Sequence, residues 1–373
     1  MARFIGKPLP PDGSDPPLHL AALVGDHAQL EALAARGAAL DEGFDARAQR
    51  GAWPTTVTPL MVAAGSGEGA SVETLELLVR LGARLDVDLG SGTAASFAVG
   101  RRWRYQTGGD ARRLQWLLAH GLDAEEQVRG VSLLAQAASN GGGARLQVLL
   151  AAGARPDPPP GAEHAVKVPL LCAAEHATAA DVRTLLAAGA DPHVHVDGET
   201  ALFFATSPET VAVLLDAGLE LEARNELGWT PLMHALVLGH LRRVRTLLSA
   251  GADVSARTGL GQTVFMTACG SHRRSATLLR MLVDAGADPH AVYGGGWNAA
   301  HAAVEAGEAN TEESATEIYG MLKELGVDLN SRAPGGPTPL AWARAEEAVA
   351  AIAALEALGA LGSIEGDSSA APE

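Results

Sequence analysis

The chain has 373 residues, a formal net charge of −16, 47% apolar residues and a mean hydropathy of +0.09. That is ample material for a core, which excludes wholesale disorder, and no apolar run reaches the roughly 18 residues a membrane-spanning helix needs. Two cysteines, Cys172 and Cys269, are too few for a disulfide framework or a structural zinc site, and the acidic balance disfavours nonspecific nucleic-acid binding while favouring basic partners.

The opening MARFIGKPLPPDG lacks an apolar stretch of signal-peptide length. A reduced, cytoplasmic setting is therefore expected, with residues 1–13 as an extended segment. From there the sequence repeats. PPLHLAA (16–22) opens a short, slim helix, and Gly37 closes the helix that follows it. The connection DEGFDARAQRGAWPTT (41–56) is long for a turn and carries Trp53. TPLMVAA (58–64) then starts a second unit, closed by Gly82. Thr caps the first turn and Pro is tolerated at the first helical position. The closing Gly takes the left-handed conformation beyond the last turn.

The third unit starts with TAASFAV (93–99) and closes at Gly121. Between lies RRWRYQTGGDARR (101–113), with five arginines against the single acid Asp110, so the rest of the chain sums to −20. A fourth unit closes at Gly153, and the Pro-rich ARPDPPPGAEHAVK (154–167) should be semi-rigid. VPLLCAA (168–174), TALFFAT (200–206), WTPLMHAL (229–236) and PTPLAWA (337–343) open later units. Their closing glycines, with those of the eighth and ninth units, are Gly189, Gly218, Gly251, Gly286, Gly326 and Gly359.

Five units span 21 residues from the helix start to the closing Gly: 16–37, 132–153, 168–189, 230–251 and 338–359. The third (93–121) and ninth (298–326) are each 7 longer. Seven residues make about two helical turns, roughly 10 Å of helix. The two insertions either project as helix or loop extensions or are simply solvated loops. Their chemistry is opposite: the first is basic and aromatic, the second, EAGEANTEESATE (305–317), is acidic. From Ala299 to Glu373 the net charge is −10. The final residues, 363–373, read as a disordered tail.

Helix, turn, helix, turn, about ten times over residues 14–362, resembles the ankyrin repeat family. The nearest unit is NELGWTPLMHALVLGHLRRVRTLLSAGADVSA (225–256). The resemblance implies an all-α solenoid of stacked helix-turn-helix units with hairpin-like fingers on one side, each unit covering its neighbour. It also implies a protein partner on the concave face, since the fold supplies a surface and no chemistry.

The residues that could carry chemistry read mostly as structural. His19, His234 and His301 occupy one place in their units, which argues for a ring hydrogen bond to the neighbouring turn. His193 and His195 form an HVH pair with no third ligand type to complete a metal site. Cys172 and Cys269 face the stack as buried thiols. GGGAR (141–145) and YGGGW (293–297) read as turns, and no phosphate loop or nucleophile elbow is present. No catalytic residue, cofactor or metal is expected.

Residues that break the pattern at exposed places point to a partner. Trp229 and Trp297 directly precede a helix start, at the root of a finger, where large aromatics dominate interface energetics; alternatively each indole packs on the adjacent finger. Glu199 and Gln262 hold the same place in other units. Glu226, Leu227 and Leu260 lie at finger tips, and Val237 and Leu238 end a first helix facing the groove. Trp53 and the insertion residues Arg101, Arg102, Trp103, Arg104 and Tyr105 complete the set. Trp116 and Trp342 hold core-facing positions. The expected function is a non-enzymatic interaction scaffold, monomeric when free, whose partner is a protein. A narrower form is an inhibitor or immunity-type protein masking a basic enzyme. The alternative is nucleic-acid binding through Arg101, Arg102, Arg104, Arg112 and Arg113, with Trp103 and Tyr105 stacking on bases; the −20 elsewhere opposes it.

Overall fold

The computed structural model describes residues 17–46, 55–67, 69–90, 92–100, 110–157, 168–309, 311–332 and 336–360. Trp53, Arg101, Arg102, Trp103, Arg104 and Tyr105 lie outside the described residues, as do the segments 1–13 and 363–373.

The chain divides into two compact units, residues 1–194 and 195–373. The first contains five packed helix pairs: α1 (Pro17–Val24) with α2 (His27–Ala35), α3 (Pro59–Gly65) with α4 (Val72–Arg80), α5 (Ala94–Val99) with α6 (Ala111–Ala119), α7 (Leu133–Ser139) with α8 (Ala144–Ala151), and α9 (Pro169–His176) with α10 (Ala179–Ala187). The second contains five more: α11 (Ala201–Phe204) with α12 (Pro208–Asp216), α13 (Pro231–Val237) with α14 (Leu241–Ser249), α15 (Val264–Gly270) with α16 (Ala276–Asp284), α17 (Ala299–Ala302) with α18 (Glu312–Glu324), and α19 (Pro339–Ala345) with α20 (Val349–Ala357). Within each unit the first helices stack on first helices and the second on second.

Local sequence explains where helices begin and end. The hydroxyls of Thr58, Thr230 and Thr263 each accept from the N–H three residues on at 3.3 Å, and that of Thr338 does so at 3.2 Å. Each cap contributes about 1 kcal/mol. Proline holds the first helical position of α3, α13 and α19 behind its cap, and of α9 as well. All ten closing glycines, from Gly37 to Gly359, have φ between 77° and 113°. The N–H beyond each reaches back five residues, as Ala252 to the Leu247 carbonyl and Ala360 to that of Leu355, both 3.0 Å. An L-residue with a Cβ resists this conformation, which is why glycine recurs there.

The first helices are slim and sunk in the stack: every residue of α3 and of α5 is buried. The second helices bury one stripe, as α14 does with Arg243, Val244, Thr246 and Leu247. In the second unit the core runs through Leu232, Phe265, Leu279, Tyr319 and Leu355. Fingers project between pairs. Strands β1 (Phe44–Ala46) and β2 (Thr55–Val57) pair antiparallel, as do β3 (Gln127–Val128) and β4 (Val131–Ser132). Single bridges close the fingers at Val196–Glu199, Arg257–Thr263 and Tyr293–Trp297. The extra length of the ninth pair becomes helix: a 3₁₀ segment, Ala303–Ala309, follows α17, and α18 runs to 13 residues. The insertion of the third pair falls outside the described residues.

Neighbouring pairs are joined by buried and half-buried polar side chains. A helix leaves its last carbonyls without intrahelical donors, and side chains of an adjacent pair supply them. Arg113 of α6 is 1% exposed. It donates to the carbonyls of Ala63 (2.7 Å), Gly67 (3.1 Å) and Ala70 (3.1 Å), to the Ser66 hydroxyl (2.5 Å) and to the Ser66 carbonyl. Asp110 lies 3.6 Å from its Nε, and burial lowers its basicity. Arg113 therefore belongs to the interior and not to a basic surface window that could meet nucleic acid. Arg145 donates to the Val99 carbonyl (2.6 Å), Arg274 to that of Ala303, and the Ser271 hydroxyl to that of Val237 (2.8 Å).

Candidate partner-binding face of the second unit

The finger roots of residues 195–360 carry Glu199, Trp229, Gln262 and Trp297, each just before a helix start. Asn225 ties two of these roots together. Its side-chain oxygen accepts from the N–H groups of Leu227 (3.1 Å) and Trp229 (3.0 Å), and its amide donates to Glu199 (3.1 Å). The fingers touch so closely that a Cβ on Gly198 would sit 2.9 Å from the Asn225 Cα. Gly198 also has φ +75°, so glycine is required there on both counts.

Below this lock, His234 Nε2 lies 3.2 Å from Glu199 Oε1. Burial, helped by Arg243 and His240, pushes the imidazole down to about 4. Burial also pushes the Glu199 carboxyl up, even though Asn225 donates to it. An imidazole held at about 4 is uncharged at neutral pH, so this close contact is not an ion pair there. The ring packs edge-on against Phe203 at 5.6 Å. His19 and His301 do not share the place of His234: they stand three residues after their unit starts, Pro16 and Asn298, whereas His234 stands four after Thr230, and their Nε2 atoms reach forward to the carbonyls of Val57 (3.0 Å) and Pro337 (3.2 Å) in the next unit.

The finger tips are apolar and open to solvent. Leu227 is 66% exposed, Leu260 81% and Val292 52%, and Leu238 at the end of α13 is 42% exposed. Val237 beside it is half-buried, with its carbonyl engaged by Ser271. Glu226 is exposed, and its N–H is fixed by the Asp197 carbonyl at 3.1 Å. Val292 was not singled out by sequence. Its signal was an apolar residue in the finger next to Leu260, hidden by a neighbouring glycine run that reads only as a turn.

Trp229 and Trp297 are half-buried, not fully exposed. Trp229 packs on the edge of the core. Trp297 sits in an aromatic group with His301 (4.8 Å), Trp342 (5.1 Å, 79° between planes) and Tyr293 (6.5 Å). Gln262 reaches into this group, donating to the Tyr293 hydroxyl (3.0 Å) and to Glu305 (3.3 Å). Tyr293 and Glu305 were also missed by sequence, because their partner Gln262 lies in another repeat. Trp342 is half-buried against the core, with its indole nitrogen buried. Trp116 differs from its expected core position: it is half-buried and lies flat on His120, one turn along α6, at 3.9 Å.

Chemistry elsewhere is sparse. Cys172 and Cys269 are buried, and burial raises the first thiol to about 11 and the second to about 12. Among the described residues no group of three or more His, Cys, Asp or Glu is placed to hold a metal. No helix among them is long and apolar enough to cross a membrane.

Residues 170–258 match the family model for ankyrin repeats (3 copies). No curated protein matches the chain. With its stacked helix pairs and bridged fingers, the fold is an all-α ankyrin-repeat solenoid. Ankyrin repeats are generally protein–protein interaction modules.

Proposed function

We propose that this protein is a non-enzymatic scaffold that binds a protein partner on the face formed by fingers and first helices in residues 195–360. Each of the ten helix pairs is read as one repeat of an array over residues 14–362. The carrying observation is the set of exposed apolar tips, Leu227, Leu260 and Val292, on successive fingers, with Leu238 beside them. Folding gains nothing from leucines held in water, whereas a protein interface does. The half-buried Trp229 and Trp297 supply rigid aromatic surface at the roots of the same fingers.

Charge supports a basic partner. Residues 195–360 carry twenty acids against eleven Lys and Arg. Two of those eleven, Arg243 and Arg274, are buried. The inhibitor reading, in which the acidic end masks a basic enzyme, follows the same charge logic. A protein captured from cell lysate on the full chain would be retested against a Leu227→Ser/Leu260→Ser variant. A fully buried leucine contributes about 1.5–3 kcal/mol, so affinity should fall by more than about a hundredfold with no change in thermal midpoint. Unchanged affinity would remove the finger tips from the interface.

A further inference from the structure

We infer that Tyr293, Trp297, Trp342, Glu305 and Glu346 form a seat for the guanidinium of an arginine on the partner protein. This rests on the protein-binding reading above and names the partner's chemistry.

Three large aromatics gather on one edge of a stack otherwise built from alanine and leucine, and each remains only half-buried. The indoles of Trp297 and Trp342 meet nearly at right angles, 79°, with centroids 5.1 Å apart. They form two walls of a corner, and Tyr293 extends the first wall at 6.5 Å. Two acids adjoin the aromatic group, one through a hydrogen bond and one along the chain. Glu305 is exposed and tied to the Tyr293 hydroxyl through the shared amide of Gln262. Glu346 follows Trp342 by one turn and is exposed.

The charges of the two acids act on one another. Partial desolvation, and after it the charge of Glu346, hold the Glu305 carboxyl above its ordinary value. Among the described residues no Lys or Arg forms an ion pair with either acid. Arg344, two residues before Glu346, pairs with Glu356 (2.7 Å), and Arg274 donates to the Ala303 carbonyl two residues before Glu305. Paired negative charge beside aromatic faces disfavours the empty state and favours a cation that both stacks and accepts two carboxylates. A planar guanidinium does both, whereas an ammonium offers a point charge without a stacking face.

The test titrates the full chain with an acetylated tetra-arginine peptide and with its tetra-citrulline counterpart, which keeps the shape and lacks the charge. Tryptophan fluorescence is the readout. The arginine peptide should give a saturable change and the citrulline peptide none. Glu305→Gln/Glu346→Gln should weaken binding at least about tenfold. Glu312→Gln/Glu317→Gln, which removes the same charge from α18, should leave it unaltered. Equal response to citrulline, or equal weakening in both double variants, overturns the seat and leaves only bulk attraction to an acidic protein. If Glu305→Gln/Glu346→Gln holds the natural partner at full affinity while Leu227→Ser/Leu260→Ser loses it, the seat fails and the protein-binding reading stands.

Discussion

Replacing Arg113 by methionine keeps most of the side-chain length and removes every donor. The guanidinium serves five acceptors at the end of α3 and in the turn beyond it. Ala63 keeps a second donor, the Ser66 hydroxyl at 3.1 Å, but Ser66, Gly67 and Ala70 lose the arginine from their carbonyls. A buried acceptor left without a donor costs about 1–3 kcal/mol. Gly67 is only partly buried, so the lower end applies to it, and the variant no longer desolvates a charge. Together these give a loss of about 3–5 kcal/mol, the range seen when a buried charged network is broken. Urea unfolding followed by circular dichroism measures it. Because repeats are coupled to their neighbours, hydrogen exchange should locate the loss in α3 to α6 and spare α13 to α16. Arg113→Lys should recover part of it with three donors on one nitrogen. A loss below about 1 kcal/mol, with exchange unchanged in α3 to α6, would refute the capping role.

Two further outcomes follow from burial. Cys172 and Cys269, raised to about 11 and 12, should resist a thiol reagent at pH 8 in the folded protein and react fully once urea unfolds it; rapid labelling of either while the circular dichroism is intact would contradict their placement. His234, held at about 4 when folded against about 6.5 when unfolded, lets the unfolded chain take the proton first. Its contribution is therefore complete above pH 6.5 and declines as pH falls, by about 2–3 kcal/mol at pH 4.5. Glu199, whose carboxyl is raised, works in the opposite direction. His234→Gln should flatten the decline between urea midpoints at pH 7 and pH 4.5, and an unaltered slope would assign it to other groups.

Helix ends were the most legible part of the sequence because their causes are local. Thr58, Thr230 and Thr338 cap as a Thr-Pro start predicts, and each closing glycine is left-handed. The interior polar positions were not read, because their partners lie thirty to fifty residues away. Arg113 looked like part of a charged window, yet its acceptors are residues 63 to 70. A usable signal existed. Eight residues before the closing glycine stand Thr74, Arg113, Arg145, Asp181, Thr210 and Arg243, where the inner units eight and nine place Leu278 and Ile318 and the end units Gln29 and Ala351. A column that alternates between arginine, threonine and leucine at one repeat position marks a buried place where polarity answers a neighbour. The candidate face was legible at its apolar tips, Leu227 and Leu260, since nothing in a finger calls for leucine. The Gln262–Tyr293–Glu305 contact was not, because it joins residues of two repeats by side chains alone.

The arginines that reach across from one pair to the last have a bearing on how such a chain can be cut and rejoined. Arg113 belongs to the third pair and completes the second; Arg145 belongs to the fourth and completes the third. Excising the third helix pair along its own boundaries would strip α3 of its donor and leave Arg145 facing a helix end it was not shaped for. Every junction between α3 and α8 breaks one of these contacts, so the segment that keeps both runs from α3 through α8, three helix pairs together. Gene duplication and engineered shuffling should therefore move these pairs as a block, with junctions outside residues 63–145.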